Sequence, residues 1–311
     1  MISYSDTPYP QSTYYGQYVV ACYNSKPVYV SINLDDAWLK CLVLINENEN
    51  SVKWSCGPVI SGKYHNVPQL INLFFEWVLS LKLRIKKANF TMNNSLHSLS
   101  MANQFMTAVH SNGLRMTLSS LIKKDLTSDI WLDAFYFSGG KKRKINNIIE
   151  RVKREGVSIV SYSGDAVSSV EGFYREHYCK AILQGYERNL IQNQSAQNAV
   201  DVIINQDRMG ISRSFFALND EDVLCCLNLV KIGNECYLRK LAFNRQSGYK
   251  DPGSSYYAMM TAAEWGRSLG LHTLNLSIAR LSEDDKTCNI RRYKNRFGKI
   301  IVPLYELTAV E

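Results

Sequence analysis

The chain is poor in the residues that build metal centres and disulfide frameworks. Its 5 histidines are scattered among 311 residues, no HExxH occurs, and none of its 8 cysteines stands in a CxxC spacing. That argues against the familiar zinc-ligand patterns and the helix-borne zinc hydrolase motif, so no metal is expected. Cys22, Cys41, Cys56, Cys179, Cys225, Cys226, Cys236 and Cys288 sit mostly in apolar, strand-like surroundings. They read as small buried thiols rather than activated nucleophiles. Long apolar runs are missing too. The richest, residues 70–83, is interrupted by Asn72, Glu76, Ser80 and Lys82, well short of the roughly 18 apolar residues of a membrane-spanning helix. Residues 1–17 are polar and tyrosine-rich, with neither a basic start nor an apolar centre, unlike a signal peptide. A cytoplasmic protein without a transmembrane segment is the expectation.

What is present suffices for two hydrophobic cores: 46% of residues are hydrophobic in a chain too long for one ordinary core. The formal net charge is +8. Such a balance favours a polyanionic partner, whether a nucleotide, a coenzyme pyrophosphate or RNA, although a solvated basic surface has the same composition.

Periodicity and turn residues divide the chain into elements. Short Val- and Tyr-rich strands are predicted at 17–23 and 27–32, then strands at 39–45 and 51–55 around the turn 46–50. A helix follows, with Asn66 as its cap, Pro68 in its first turn and an apolar stripe of Leu70, Leu73, Phe74, Trp77, Val78 and Leu81. A strand at 88–92, a helix at 96–109 and a half-buried strand from Leu114 complete the first half. The boundary is placed near Ser138-Gly139-Gly140, giving domains 1–138 and 139–311. The second half reads as a helix from Lys141 ended by Gly156, a strand at 157–162, a long helix at 166–188 and a helix at 196–206. Strands at 212–218, 222–231 and 235–243, a helix at 254–269, a strand at 272–278, a helix at 287–297 and a strand at 299–307 follow.

That order of elements resembles the GNAT (acyl-coenzyme A N-acyltransferase) topology, and the first half matches the same string without its opening. The fold class expected is therefore α/β, with two tandem GNAT-like domains, each a mixed, splayed sheet flanked by helices. In such a domain the gap between the fourth and fifth strands admits the donor's acyl arm, and amides exposed there can bind an oxyanion. The donor pyrophosphate rests on the following helix N-terminus. Here that segment runs from Arg245 to Ser255, so Arg245, Gly248, Gly253, Ser254 and Ser255 are the donor-binding candidates. Arg245 and Gly248 match the family pattern [QR]-x-x-G-x-[GA], while Lys250 stands where its last small residue belongs. An ordinary strand-to-helix connector is the alternative reading.

Two segments resemble the Fem-type aminoacyltransferases. Lys142-Arg143-Lys144-Ile145, followed by Arg154-Glu155-Gly156-Val157, is similar to the start of their second domain. Arg291-Arg292-Tyr293-Lys294-Asn295-Arg296-Phe297-Gly298 is similar to their fK-x-x-fG signature, with Tyr293 for the usual Phe. Pro252, Tyr256, Ala262, Trp265 and Gly270 look like that family's intervening helix, and Cys56-Gly57-Pro58 like its GP turn. The helical hairpin common in peptidoglycan-bridge enzymes is missing. The resemblance implies transfer from acyl-coenzyme A or aminoacyl-tRNA, with no permanently bound cofactor, to an amine of a sugar nucleotide or another envelope precursor. It places Lys294 at the transfer centre as a stabiliser of negative charge, against the alternative of a surface lysine on a basic helix; Tyr293 and Tyr305 are candidate proton donors to the leaving group. Glu235 is the candidate base, and Arg143, Lys144, Arg291 and Arg292 are candidates for phosphate or acceptor contacts, with solvated surface charge as the alternative reading, the favoured one for Arg291 and Arg292. The last strand is expected to return to the first domain. A degenerate, non-catalytic GNAT pair that binds nucleic acid or protein is the alternative.

Overall fold

The computed structural model describes residues 11–23, 25–91, 99–127, 141–185, 193–220, 222–244, 253–279, 285–298 and 300–309. The first half contains α1 (Thr13–Tyr23), β1 (Lys26–Leu34), β2 (Ala37–Asn46), β3 (Ser51–Lys53), β4 (Val59–Ser61), α2 (Val67–Ser80), β5 (Arg84–Thr91), α3 (Leu99–Ser111) and β6 (Leu114–Asp125). The second contains α4 (Lys141–Arg154), β7 (Val157–Tyr162), α5 (Ala166–Ser169), α6 (Glu171–Gly185), α7 (Asn193–Arg208), β8 (Ser212–Asn219), β9 (Asp222–Ile232), β10 (Glu235–Phe243), α8 (Gly253–Ser268), β11 (Thr273–Ala279), α9 (Asp285–Lys294) and β12 (Ile300–Ala309). The boundary proposed at Ser138/Gly139 falls outside the described residues.

Three local expectations need correction. The Val- and Tyr-rich segment 17–23 is helical, not extended. Its Tyr18, Val19 and Cys22 are buried, and packing against α7 overrides weak strand propensity. The helix expected over 166–188 breaks at Val170, which leaves helical geometry with ψ at 19°. Asn66 makes no capping bond; its amide donates to Asp36 Oδ1 at 3.3 Å instead.

In α2 the apolar spacing buries Leu70, Ile71, Phe74, Phe75 and Val78 in the first-half core, where Trp54 meets Phe74 edge-on at 5.3 Å. Each such side chain contributes about 1.5–3 kcal/mol of burial. The first core lies on one face of the sheet, and a second, beneath α8, continues on that face. The opposite face is covered by α1, α5, α6 and α7.

The strands form one ladder in the order β1-β2-β3-β5-β12-β6-β11-β10-β9-β8-β7, with β4 on β2. The two splayed sheets are therefore joined, which the order of elements did not show. The join is an exchange. β12, from the second half, lies between β5 and β6 of the first, and β6 in turn pairs with β11 of the second. β6 and β12 run antiparallel from Ile300↔Lys123 to Ala309↔Leu114.

On the face covered by α1, α5, α6 and α7 a buried carboxylate pins four elements together. Asp207, at the end of α7, accepts from Tyr174 at 2.9 Å, Ser214 Oγ at 2.6 Å, Asn228 Nδ2 at 3.2 Å and the Ser212 hydroxyl. Burial pushes its carboxyl above the ordinary range, against those donors and the nearby Arg239 charge.

Two stability predictions follow from this packing. A Cβ on Gly298, between α9 and β12, would meet Ile122 Cγ2 at 2.4 Å and Lys123 O at 2.8 Å. Gly298→Ala is expected to destabilise by about 1–3 kcal/mol, seen as a lower denaturation midpoint at unchanged slope. Gly172→Ala is the control, because nothing lies within 4 Å of that position; equal losses at both sites would refute tight packing at Gly298. Asp207→Ala strands several buried donors and should cost roughly 3 kcal/mol. A neutral result would mean that the network adds nothing.

Candidate functional site

The second half opens where β10 and β11 part. They pair in parallel only at Glu235↔Thr273, Cys236↔Leu274 and Tyr237↔Asn275. Immediately beyond, both strands lose register with their outer neighbours. β10 bulges against β9 between Leu238 and Lys240, and β11 slips against β6 between Asn275 and Ile278. Ser277, inside that slip, has φ at 70°, a conformation uncommon outside glycine and asparagine. Its N–H donates to Asn275 Oδ1 at 2.9 Å, replacing a ladder bond, and Tyr237 donates its hydroxyl proton to Ser277 Oγ at 2.8 Å.

One wall of this opening comes from the first half. Arg239, in the β10 bulge, stacks its guanidinium over the Tyr18 ring of α1 at 5.1 Å and donates to Gln206 Oε1. Tyr14 and Tyr15 of α1 pack beside Tyr237. Arg239 and Lys240 make the region positive enough to be felt at Cys22, although burial keeps that thiol raised overall.

Of the sequence candidates, Lys294 and Glu235 border this opening. Lys294, the last residue of α9, donates Nζ to Ile278 O at 2.6 Å, one residue from Ser277. Tyr293 stacks on Tyr256 with centroids 5.7 Å apart and donates to Ser255 O at 3.4 Å; burial pushes its hydroxyl up. Glu235 is ion-paired with Lys123 of the first half and accepts from Asn275 Nδ2 at 3.3 Å. Gly253, Ser254 and Ser255 form the first turn of α8 and are buried. Ser254 bonds the Cys225 thiol, so backbone N–H groups are what this turn offers an anion. Arg245 and Gly248 lie outside the described residues. Arg143 and Lys144 lie in the first turn of α4. Arg291 and Arg292 occupy the last turn of α9, where Arg292 is exposed and donates to Asn289 at 3.5 Å.

The order of elements predicts that segments 235–243 and 272–277 wall a cleft, but no pattern in the sequence singles out Tyr237, Asn275 or Ser277 within them, or Lys123. Tyr237 and Ser277 are 40 residues apart, and nothing in a serine announces a left-handed backbone. Among the described cysteines, Cys22, Cys41, Cys56, Cys225, Cys226 and Cys236 are buried and in no disulfide. Burial raises the thiols of Cys225 and Cys236 to about 12. Among the described residues no cluster of three metal-ligating side chains occurs, and no helix is long and apolar enough to cross a membrane.

The first half has an equivalent parting, but its own chain closes it. β3 and β5 pair in parallel only at Ser51↔Arg84, Val52↔Ile85 and Lys53↔Lys87. Beyond that point Cys56 N donates to Asn89 Oδ1 at 2.7 Å, Ser55 Oγ to the same atom at 3.2 Å and Gly57 N to Asn89 O at 3.2 Å. Gln11 bonds Ser55 O at 2.6 Å from above.

No protein-family model and no curated protein sequence matches this chain. Solved structures do. The C-terminal domain of a putative lysylphosphatidylglycerol synthetase from Agrobacterium fabrum is similar over 97% of this chain and 88% of its own, with a TM-score of 0.61 at 15% identity. FemX is similar over 97% and 93%, with a TM-score of 0.61 at 10% identity. L-PGS from Bacillus licheniformis is similar over 96% and 92%, with a TM-score of 0.56 at 13% identity. At these identities the likeness is one of fold, and the fold is the Fem-like tandem GNAT arrangement.

Proposed function

We propose that this chain is an acyltransferase that moves an acyl or aminoacyl group from coenzyme A or tRNA to an amine of a sugar nucleotide or another cell-envelope precursor. The observation that carries the reading is the parting of β10 and β11. It leaves main-chain groups unladdered beside an ammonium, two hydroxyls and a buried helix turn. An extended acyl arm fits such a gap by strand-like pairing, and main-chain N–H groups are the kind of donor that suits the oxyanion of a tetrahedral intermediate. Lys294 adds positive charge where the leaving group departs. Tyr293 serves to hold α9 against α8, because a raised phenol already bonded to a carbonyl is a weak acid. The net charge of +8 and likeness to a protein named as a lysylphosphatidylglycerol synthetase both support an aminoacyl donor.

Two measurements test this. Thermal-shift screening should show stabilisation by tRNA or coenzyme A, about 2.7 kcal/mol at 100 times the dissociation constant. Stabilisation by tRNA without any transfer would favour the binding-module alternative. Lys294→Ala should reduce single-turnover transfer roughly 10²–10³-fold at saturating donor. The lost hydrogen bond should cost only about 1 kcal/mol of stability. Lys294→Arg should recover part of the rate, since a planar guanidinium replaces a compact charge. Unchanged turnover in the alanine variant would remove Lys294 from the site.

A further inference from the structure

We propose that Ser277 is a catalytic proton shuttle and that Tyr237 is its positioning residue; the inference rests on the transferase reading above. Three features of the structure lead to it.

The first is place. Tyr237↔Asn275 is the last pair joining β10 to β11, and Ser277 stands two residues beyond it, in the slip of β11. A carbonyl lodged in the gap is flanked by the β10 bulge on one side and the Ser277 hydroxyl on the other.

The second is orientation. Ser277 Oγ accepts the Tyr237 proton at 2.8 Å, and Ser277 N–H is occupied by Asn275 Oδ1 at 2.9 Å. The serine's own proton is therefore directed away from Tyr237. A backbone at φ 70° is adopted most readily by glycine. A serine there keeps a hydroxyl in a conformation that disfavours its side chain, and such exceptions cluster where function requires them.

The third is the state of the neighbouring base. Glu235, on the same strand as Tyr237, is ion-paired with Lys123 and bonded by Asn275. Both of its oxygens are already engaged, Oε1 by Lys123 and Oε2 by Asn275, so a hydroxyl beyond the last strand pair is better placed to carry the proton.

The step balances without a co-reactant. The amine nitrogen forms a bond to the acyl carbon, and the carbon–oxygen or carbon–sulfur bond to the donor breaks. The amine proton passes to Ser277 Oγ, while the Oγ proton passes to the departing oxygen or sulfur. Serine ends as it began, and Tyr237 keeps its proton throughout. Lys294, bonded to the carbonyl of the adjacent Ile278, limits the charge that accumulates on the leaving group.

The test uses hydroxylamine as the acceptor probe, with acetyl-coenzyme A and aminoacylated total tRNA as separate donors, and hydroxamate formation as the readout. Ser277→Gly relieves the backbone and deletes the hydroxyl. It should lower kcat about 100-fold, leave the donor KM unchanged, keep or raise the melting temperature and reduce the solvent isotope effect on kcat. Tyr237→Phe should lower kcat about tenfold, and combining it with Ser277→Gly should add nothing, as for groups that act as one unit. Wild-type rates in Ser277→Gly would overturn the shuttle and leave the transferase reading standing. A wild-type chain that forms hydroxamate from neither donor faster than the protein-free reaction would overturn both.

Discussion

The antiparallel pairing of β6 with β12 is the contact on which the rest of the molecule depends. Each strand closes the half it does not belong to: β12 completes the ladder beside β5, and β6 completes it beside β11. Neither half would have a complete sheet without the other. An uncovered edge of that length would be a liability, and exchange removes it from both halves at once. Around the join, Leu121 of β6 packs with Val302 and Leu304 of β12 and with Cys56 of the first-half turn. This small core ties the turn after β3 to the centre of the sheet. The same exchange builds the site, because Lys123, which engages Glu235, arrives on β6.

The two halves use one geometry to different ends. In each, a parallel pair three residues long precedes a divergence. In the first half the divergence is filled at once: Trp54 enters the core, and Ser55, Cys56 and Gly57 bond to Asn89. A substrate arm entering there would have to displace these bonds, each worth about 0.5–1.5 kcal/mol net and more if its groups stay buried and unmatched. In the second half the hydroxyls of Tyr237 and Ser277 bridge the strands past the divergence. A hydroxyl pair can re-form around a ligand far more readily than a backbone ladder. On the transferase reading, the second half is the one open to a donor arm, and the first serves as scaffold and wall.

How much of this was legible in the sequence depends on the range of the interaction. The α2 stripe, the β8–β10 meander with its Asn219-Asp220 and Gly233-Asn234 turns, and Gly156 after α4 are local signals, and the elements stand where those signals put them. The α1 error has a physical cause. Gln17-Tyr18-Val19-Val20 carries strand-forming residues, but its helix is stabilised by α7, far along the chain. The joining of the sheets was not legible, because no short-range pattern states which strand accepts β12. Tyr237, Ser277 and Lys123 escaped for the same reason: each acquires its meaning from a residue at least 40 positions away.

The Arg291–Gly298 segment shows how a motif can carry two kinds of information at once. Phe297 is buried among Tyr256, Tyr293 and the α8 core, and Gly298 lies too close to β6 for a side chain. Those two positions describe how α9 hands the chain to β12 across the join. Lys294 is different in kind: its stem could end anywhere in solvent, yet Nζ is bonded to the Ile278 carbonyl at the slipped part of β11. That carbonyl sits beside the residue whose backbone departs furthest from strand geometry. The ammonium therefore compensates a main-chain acceptor at the slip and, by doing so, holds the strand in the conformation that presents the Ser277 hydroxyl. On the transferase reading proposed above, one bond would supply both charge and shape at the candidate site.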